Sequence, residues 1–343
     1  EKTKQTAVKD KKTVVKSKQS AVKESAKPVN HTGSCREPDV RGIVHIDHSI
    51  LVYITVADIP RHDVTSLGRR IIDLRLIAEK TFGNVTNLFN LNNVKYQWAN
   101  KLYRLMMENF WIPEKVSLFD DKRAYDELTP AEQKAYDGIL SFLVFLDSIQ
   151  TNNLPNISDY ITAPEVNLIL AIQTYQEAVH SQSYAYIIES IIPAAKREEI
   201  YNKWREDKVL LERNKYIAEI YQDFIDNRND KNFARVLVAN FLLEGLYFYN
   251  GFNFFYNLAA RSLMIGTADE IKYINRDELT HCVIFANIIK EIRQERHDFF
   301  NDDEIYEMFA KATEQEINWS NHIIGNRVMG ITPETIEQYT KFM

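Results

Sequence analysis

From Asn87 to the end of the chain, apolar residues recur every three or four positions over long stretches, the spacing of helices that bury one face. This pattern predicts helices over residues 96–110, 130–150, 163–192, 196–227, 232–261, 268–295 and 302–324. Clusters of proline with Asp, Asn or Thr lie between them, and both Leu128-Thr129-Pro130 and Leu154-Pro155-Asn156 read as start and stop signals. An all-α bundle of long helices follows. Within it, Val236–Ala260 carries Glu244 as its one charged residue and resembles a membrane span in composition. Four asparagines, at 240, 250, 253 and 257, and the lack of a companion segment favour a helix buried at the centre of the bundle instead, with no membrane partner.

Upstream of Asn87 the pattern changes. Residues 1–32 form a Lys-rich stretch, with nine lysines and no aromatic residue in the first 28 positions, and are expected to stay solvated and disordered. Residues 33–85 are an extension of no assigned role, with a strand expected over 43–56 and helical spacing over 66–82. His45, Asp47, His48 and His62 are metal-capable types there, but no second organised cluster accompanies them. The bundle domain is expected over 86–343.

Composition narrows the class. The 343 residues are 45% hydrophobic and 26% charged, enough for a large core. A net charge of −6 argues against a nucleic-acid-binding field over the whole molecule. Two cysteines, Cys35 and Cys282, make no disulfide framework and suit a reducing, cytoplasmic compartment.

The chemistry lies in carboxylates placed where they are costly. Glu244 sits in the most apolar helix, and Asp147 follows the run Ile139-Leu140-Ser141-Phe142-Leu143-Val144-Phe145-Leu146. Each needs a proton, a cation or a metal as partner. Two other helices each present Glu-x-x-His, as Glu177/His180 and Glu278/His281, and residues i and i+3 share a helix face. One such pair is weak, but the order repeats: lone carboxylate, then pair, separated by 30 residues in the first half and 34 in the second. Four helices with inward carboxylates, two of them as Glu-x-x-His, is the ferritin-like dimetal carboxylate arrangement. Four carboxylates also balance two divalent cations, which lowers the cost of burying them. Tyr184 lies four residues after His180 and seven after Glu177, on the same face.

The stretches Leu146-Asp147-Ser148-Ile149-Gln150, Glu177-Ala178-Val179-His180-Ser181-Gln182-Ser183-Tyr184 and Arg276-Asp277-Glu278-Leu279-Thr280-His281 resemble the small, radical-generating subunit of class I ribonucleotide reductase. The resemblance runs from about Asn87 to the chain end. It implies that Asp147, Glu177 and His180 hold one metal and Glu244, Glu278 and His281 the other, with Glu177 and Glu244 changing coordination during oxygen activation. It also implies that Tyr184 carries the radical in a pocket of Phe248, Phe252 and Ile274. The radical route would run from His180 through Asp277 to Trp111. The implied cofactor is a di-iron-oxo centre with a tyrosyl radical, the wording of the motifs leaning to iron, with dimanganese as the alternative. The implied partners are a second copy, in a homodimer, and a large subunit that reduces ribonucleoside diphosphates to deoxyribonucleotides for DNA synthesis. No phosphate-binding loop is visible, as expected if nucleotides bind the large subunit.

Two departures stand out. Where the family commonly has two acidic residues after the proline that follows its tryptophan, this chain has Glu114-Lys115, which puts any gating role of that position in doubt. The sequence also stops at Tyr339-Thr340-Lys341-Phe342-Met343, before the family's flexible docking tail, and so is expected to assemble a cofactor better than it supports turnover. Rival readings are a related ligand-binding oxidase, disfavoured by Asp147 and Tyr184, and a ferritin-like iron-storage protein.

Overall fold

The computed structural model describes residues 88–343, and the elements expected over 43–56 and 66–82, the tail, the extension and the His45/His62 group lie outside them. Among the described residues there is no strand. Eleven α-helices follow in order: α1 Gln97–Glu108, α2 Phe119–Glu127, α3 Pro130–Tyr160, α4 Pro164–Ile191, α5 Ala194–Glu206, α6 Lys208–Asp226, α7 Asp230–Leu242, α8 Tyr249–Ala260, α9 Ile265–Glu295, α10 Asp302–Ile323 and α11 Pro333–Phe342. A π turn, Leu243–Tyr247, joins α7 to α8. The architecture is the ferritin-like bundle: α3 packs along α4, α9 along α7, the π turn and α8, and α4 meets α9 across the centre.

Two boundaries differ from the sequence pattern. The stop signal at Leu154-Pro155-Asn156 does not end α3, which runs on to Tyr160 with Pro155 inside it. A proline there costs about 3 kcal/mol of helix stability. The apolar stripe nevertheless continues through Leu154 and Ile157, both fully buried, and that burial holds the last turns in place. The stretch expected as one helix over 196–227 is instead α5 and α6. Asp207 interrupts it and caps α6, its side chain accepting from the backbone N–H groups of Val209 and Leu210 at 3.0 and 3.2 Å. The start of α3 follows its sequence signal: Thr129 and Glu132 form a reciprocal capping box ahead of Pro130 at the first helical position.

The start of α9 is built by a distant residue. Ser262 and Met264 take positive φ, and the chain then enters α9 through Gly266. Asp121, buried on α2, accepts from the N–H groups of Gly266 and Thr267 at 3.0 and 2.6 Å and from the Thr267 hydroxyl at 2.7 Å. A carboxylate on the free N–H groups of a first turn is well placed for the helix dipole. Gly266 is required by close approach, since a β-carbon there would stand 2.4 Å from the Ser117 carbonyl oxygen.

Candidate metal centre

Asp147 arrives from α3, Glu177 and His180 from α4, Glu244 from the π turn, and Glu278 and His281 from α9, and all six are fully buried. They form two overlapping groups: Asp147, Glu177, His180 and Glu278 in one, Glu177, Glu244, Glu278 and His281 in the other, each with ligand atoms within 4.8 Å of one another. Glu177 and Glu278 belong to both, so the two sets of three read from the motifs meet through a shared pair of carboxylates. His180 Nδ1 lies 3.1 Å from Glu278, 3.3 Å from Glu177 and 3.8 Å from Asp147. His281 Nδ1 lies 3.0 Å from Glu278, 3.1 Å from Glu177 and 3.4 Å from Glu244.

These atoms lack ordinary partners. Both oxygens of Asp147 and of Glu177, His180 Nδ1 and Glu278 Oε1 are buried and make no hydrogen bond. Buried polar atoms left in that state are expensive, and their convergence on two points is what a pair of metal ions would resolve. Carboxylates with two imidazoles suit iron or manganese.

The electrostatics agree. Burial, reinforced by the Glu177 and Glu278 charges, raises the Asp147 and Glu244 carboxyls well above the usual range. Glu278 moves the other way: against its own desolvation, a hydrogen bond with Glu244, the His281 charge and hydrogen bonding to the two rings hold it low. Desolvation works against charge on both rings, but the facing carboxylates, with Asp277 for His180, outweigh it and raise both histidines well above normal. The cluster therefore calls for positive charge at its centre, which divalent ions supply while displacing the ring protons.

Each histidine is oriented by its outer nitrogen. His180 Nε2 faces Asp277 Oδ2 at 3.4 Å, and the same oxygen accepts from Trp111 Nε1 at 2.9 Å. Asp277 Oδ1 accepts from Arg276 Nε and Nη2 at 3.1 and 3.0 Å, and Arg276 Nη2 also donates to the Asn109 carbonyl at 2.5 Å. Despite its desolvation, Asp277 is kept below its ordinary value by His180 and Trp111, so it stays a carboxylate and holds the proton on His180 Nε2. His281 Nε2 instead faces the Gln176 amide oxygen at 3.0 Å. Trp111 is 9% exposed, and its ring stacks on Tyr273 with centroids 5.1 Å apart.

Tyr184 is fully buried, and its hydroxyl makes no hydrogen bond. Desolvation and the charges of Asp147 and Glu278 push its phenol well above normal, so it stays protonated. Phe248, Phe252 and Ile274 are likewise buried, and the two phenylalanine rings stack at 5.8 Å.

The sequence pattern did not single out the amides around Glu244. Its Oε1 accepts from Gln173 Nε2 at 2.8 Å, Asn240 Nδ2 at 3.2 Å and, at short range, Gln150 Nε2. Gln150 is itself held by the Tyr221 hydroxyl at 2.9 Å. Their spacing carried a signal: Gln150 is three residues after Asp147, and Gln173 and Asn240 are four before Glu177 and Glu244. Gln176 and Arg276 directly precede Glu177 and Asp277. Lys115 ends a single 3₁₀ turn, Pro113–Lys115, at the rim of a cleft also lined by Arg123, Lys272 and Arg276.

Against known proteins, the family model for the ribonucleotide reductase small chain matches residues 88–343. The chain belongs to that family. As a ribonucleotide reductase small chain it is the subunit of an oxidoreductase. It is 46% identical over 264 residues to the ribonucleoside-diphosphate reductase subunit beta of Treponema pallidum (strain Nichols), covering 76% of this chain and 75% of that one. To the same subunit of Halalkalibacterium halodurans it is 38% identical, covering 76% of each. Among solved structures, the ribonucleotide reductase R2 subunit from Clostridium botulinum matches with a TM-score of 0.73 at 49% identity, over 75% of this chain and 82% of that one. The dimanganese(II) NrdF of Streptococcus sanguinis, 19% identical with a TM-score of 0.65 over 74% of this chain and 88% of its own, shares the fold. These relatives favour neither the ligand-binding oxidase nor the iron-storage reading. Among the described residues no helix is long and apolar enough to cross a membrane.

Proposed function

We propose that this small chain generates and stores a radical on Tyr184 and passes the oxidising equivalent through His180, Asp277 and Trp111 to a separate large subunit that reduces ribonucleoside diphosphates. Asp147, Glu177, His180, Glu244, Glu278 and His281 would hold two metal ions, iron by preference and manganese as the alternative. When bound, such a pair supplies the redox chemistry that oxidises the phenol with dioxygen.

The chain's own residues do the rest. Tyr184 surrenders an electron and its phenolic proton, and Asp147, whose charge acts on that phenol, would take the proton. Phe248, Phe252 and Ile274 offer a radical neither water nor an exchangeable proton. Asp277 fixes the His180 tautomer and links the ring to Trp111 by one shared oxygen. Trp111, almost buried, stands where that line of contacts reaches the surface. Within this reading the chain works in the cytoplasm as a homodimer.

The single observation that carries the proposal is the unbroken contact line from the shared carboxylate cluster through His180 Nε2 and Asp277 Oδ2 to Trp111 Nε1. The decisive test is an electron paramagnetic resonance spectrum after ferrous loading and oxygen exposure. A tyrosyl signal should appear in the parent and vanish in Tyr184→Phe. Two bound irons without that signal, and none after manganese with an external oxidant, would return the oxidase reading to favour.

A further inference from the structure

Beside the π turn lies a second buried charge cluster. Arg213 on α6 is 1% exposed and Glu316 on α10 is fully buried. Arg213 Nε and Nη2 both donate to Glu316 Oε2, at 2.9 and 2.5 Å, and Nη2 also donates to the Tyr247 carbonyl at 2.5 Å. Tyr247 is the last residue of the π turn that carries Glu244. The guanidinium lies over the Tyr247 ring at 4.3 Å and the Phe142 ring of α3 at 4.6 Å. Glu316 Oε1 accepts from Asn250 Nδ2 and Ser320 Oγ, each at 3.1 Å, and the Tyr247 hydroxyl donates to Gln315 on α10 at 2.9 Å.

A buried ion pair is poor evidence of stability, because desolvation consumes most of the attraction, and pairs of this kind are better attested as devices that select one register. A π turn presents a register to select. It is a rare insertion in a helix, and reverting to α geometry would shift the following backbone by one residue. Three groups of this segment, the Tyr247 carbonyl, the Tyr247 hydroxyl and the Asn250 amide, are tied to Arg213 and to α10, while Glu244 of the same turn is held in its amide cage.

We propose that the Arg213–Glu316 pair is a positioning device that fixes the π turn and thereby holds Glu244 in the His281 half of the metal cluster. The inference rests on the metal-centre reading above. The probe is Mn(II), counted per chain by equilibrium dialysis and by the electron paramagnetic resonance of the free ion. Two ions are expected in the parent; a parent that binds none overturns the metal-centre reading and this inference with it.

Given two ions in the parent, the double variant Arg213→Met with Glu316→Leu leaves no unpaired buried charge. It should keep its helical content, retain one ion at parental affinity and bind the second about tenfold or more weakly, the usual penalty for removing an orienting partner. Arg261→Met with Glu132→Leu breaks an ion pair at the α3 and α8 ends and should leave both ions bound. Should the first double variant fail to fold, Arg213→Lys keeps the charge but loses the planar fork, and it should weaken the second ion selectively. Parental binding of both ions by a folded variant, or equal weakening of both, would overturn the assignment.

Discussion

Around His180 the outward ring nitrogen meets a carboxylate, Asp277, that is itself bound to Trp111 and Arg276; around His281 it meets the neutral amide of Gln176. On the inward side the contrast reverses. Asp147 keeps both oxygens without hydrogen bonds, whereas Glu244 has one oxygen surrounded by three amides. The near-repeat of lone carboxylate and Glu-x-x-His therefore specifies two similar coordination sets with dissimilar surroundings. One half is linked through Asp277 to Trp111, and the other is braced. In the reading proposed above, the Asp on the His180 side would both set the tautomer and carry charge outward, a role that the neutral Gln176 amide cannot share.

The comparison breaks most completely if the shared carboxylates are removed. Glu278→Ala takes a ligand from both halves, so Mn(II) binding should fall from two ions per chain to below one, with affinity reduced more than about 100-fold, beyond the loss typical of an outer partner. Asp147→Ala should spare the His281 half, and dialysis would distinguish the two patterns. A single tight ion retained by Glu278→Ala would contradict the sharing.

Asp277→Asn tests the connected half. With a cognate large subunit, nucleotide reduction should drop about 10–100-fold, while the Tyr184 signal per bound metal stays close to the parent's. If signal and turnover fall together, Asp277 serves metal binding rather than transfer.

Acidity probes both halves at once. Both histidines, and the Asp147 and Glu244 carboxyls, are pushed upward and so tend to hold protons, which binding must discharge. Metal affinity should therefore rise with pH until those raised values are passed, by about tenfold per pH unit for each proton released. A flat titration of affinity between pH 5.5 and 7.5 would mean that these groups have already lost their protons.

The smallest effect belongs to Gln176→Leu. Loss of a neutral partner should cost metal affinity about tenfold at most, the low end for an orienting residue, with no separate loss of transfer. A larger defect in turnover than in binding would erase the distinction between the halves.

How much of this was legible in the sequence depends on whether a residue's role is set along one helix or between helices. Glu177 with His180, and Glu278 with His281, announce themselves because i and i+3 share a face. Tyr184 follows from the same period. Gln150 and Gln173 have the right spacing, but glutamine is common on helices, and only the fold shows that both converge on Glu244. The π turn leaves no periodic trace at all, since one extra residue in a uniformly apolar helix changes no visible pattern. Pro155 misleads for the converse reason: the local preference to stop is real, and burial of Leu154 and Ile157 outweighs it. Asp207 lies in a segment whose apolar period continues across it, so its capping role emerges only once α5 and α6 turn apart.

The Asp121 clamp joins the short helix that follows the Trp111 segment to the first turn of the helix bearing Asp277, Glu278 and His281. Because those bonds are buried, the two elements should open together, as one cooperative unit in hydrogen exchange. Amides near Trp111 would then exchange as slowly as the core around the carboxylate cluster. Breathing that exposed the cluster to solvent would disconnect its outlet in the same event.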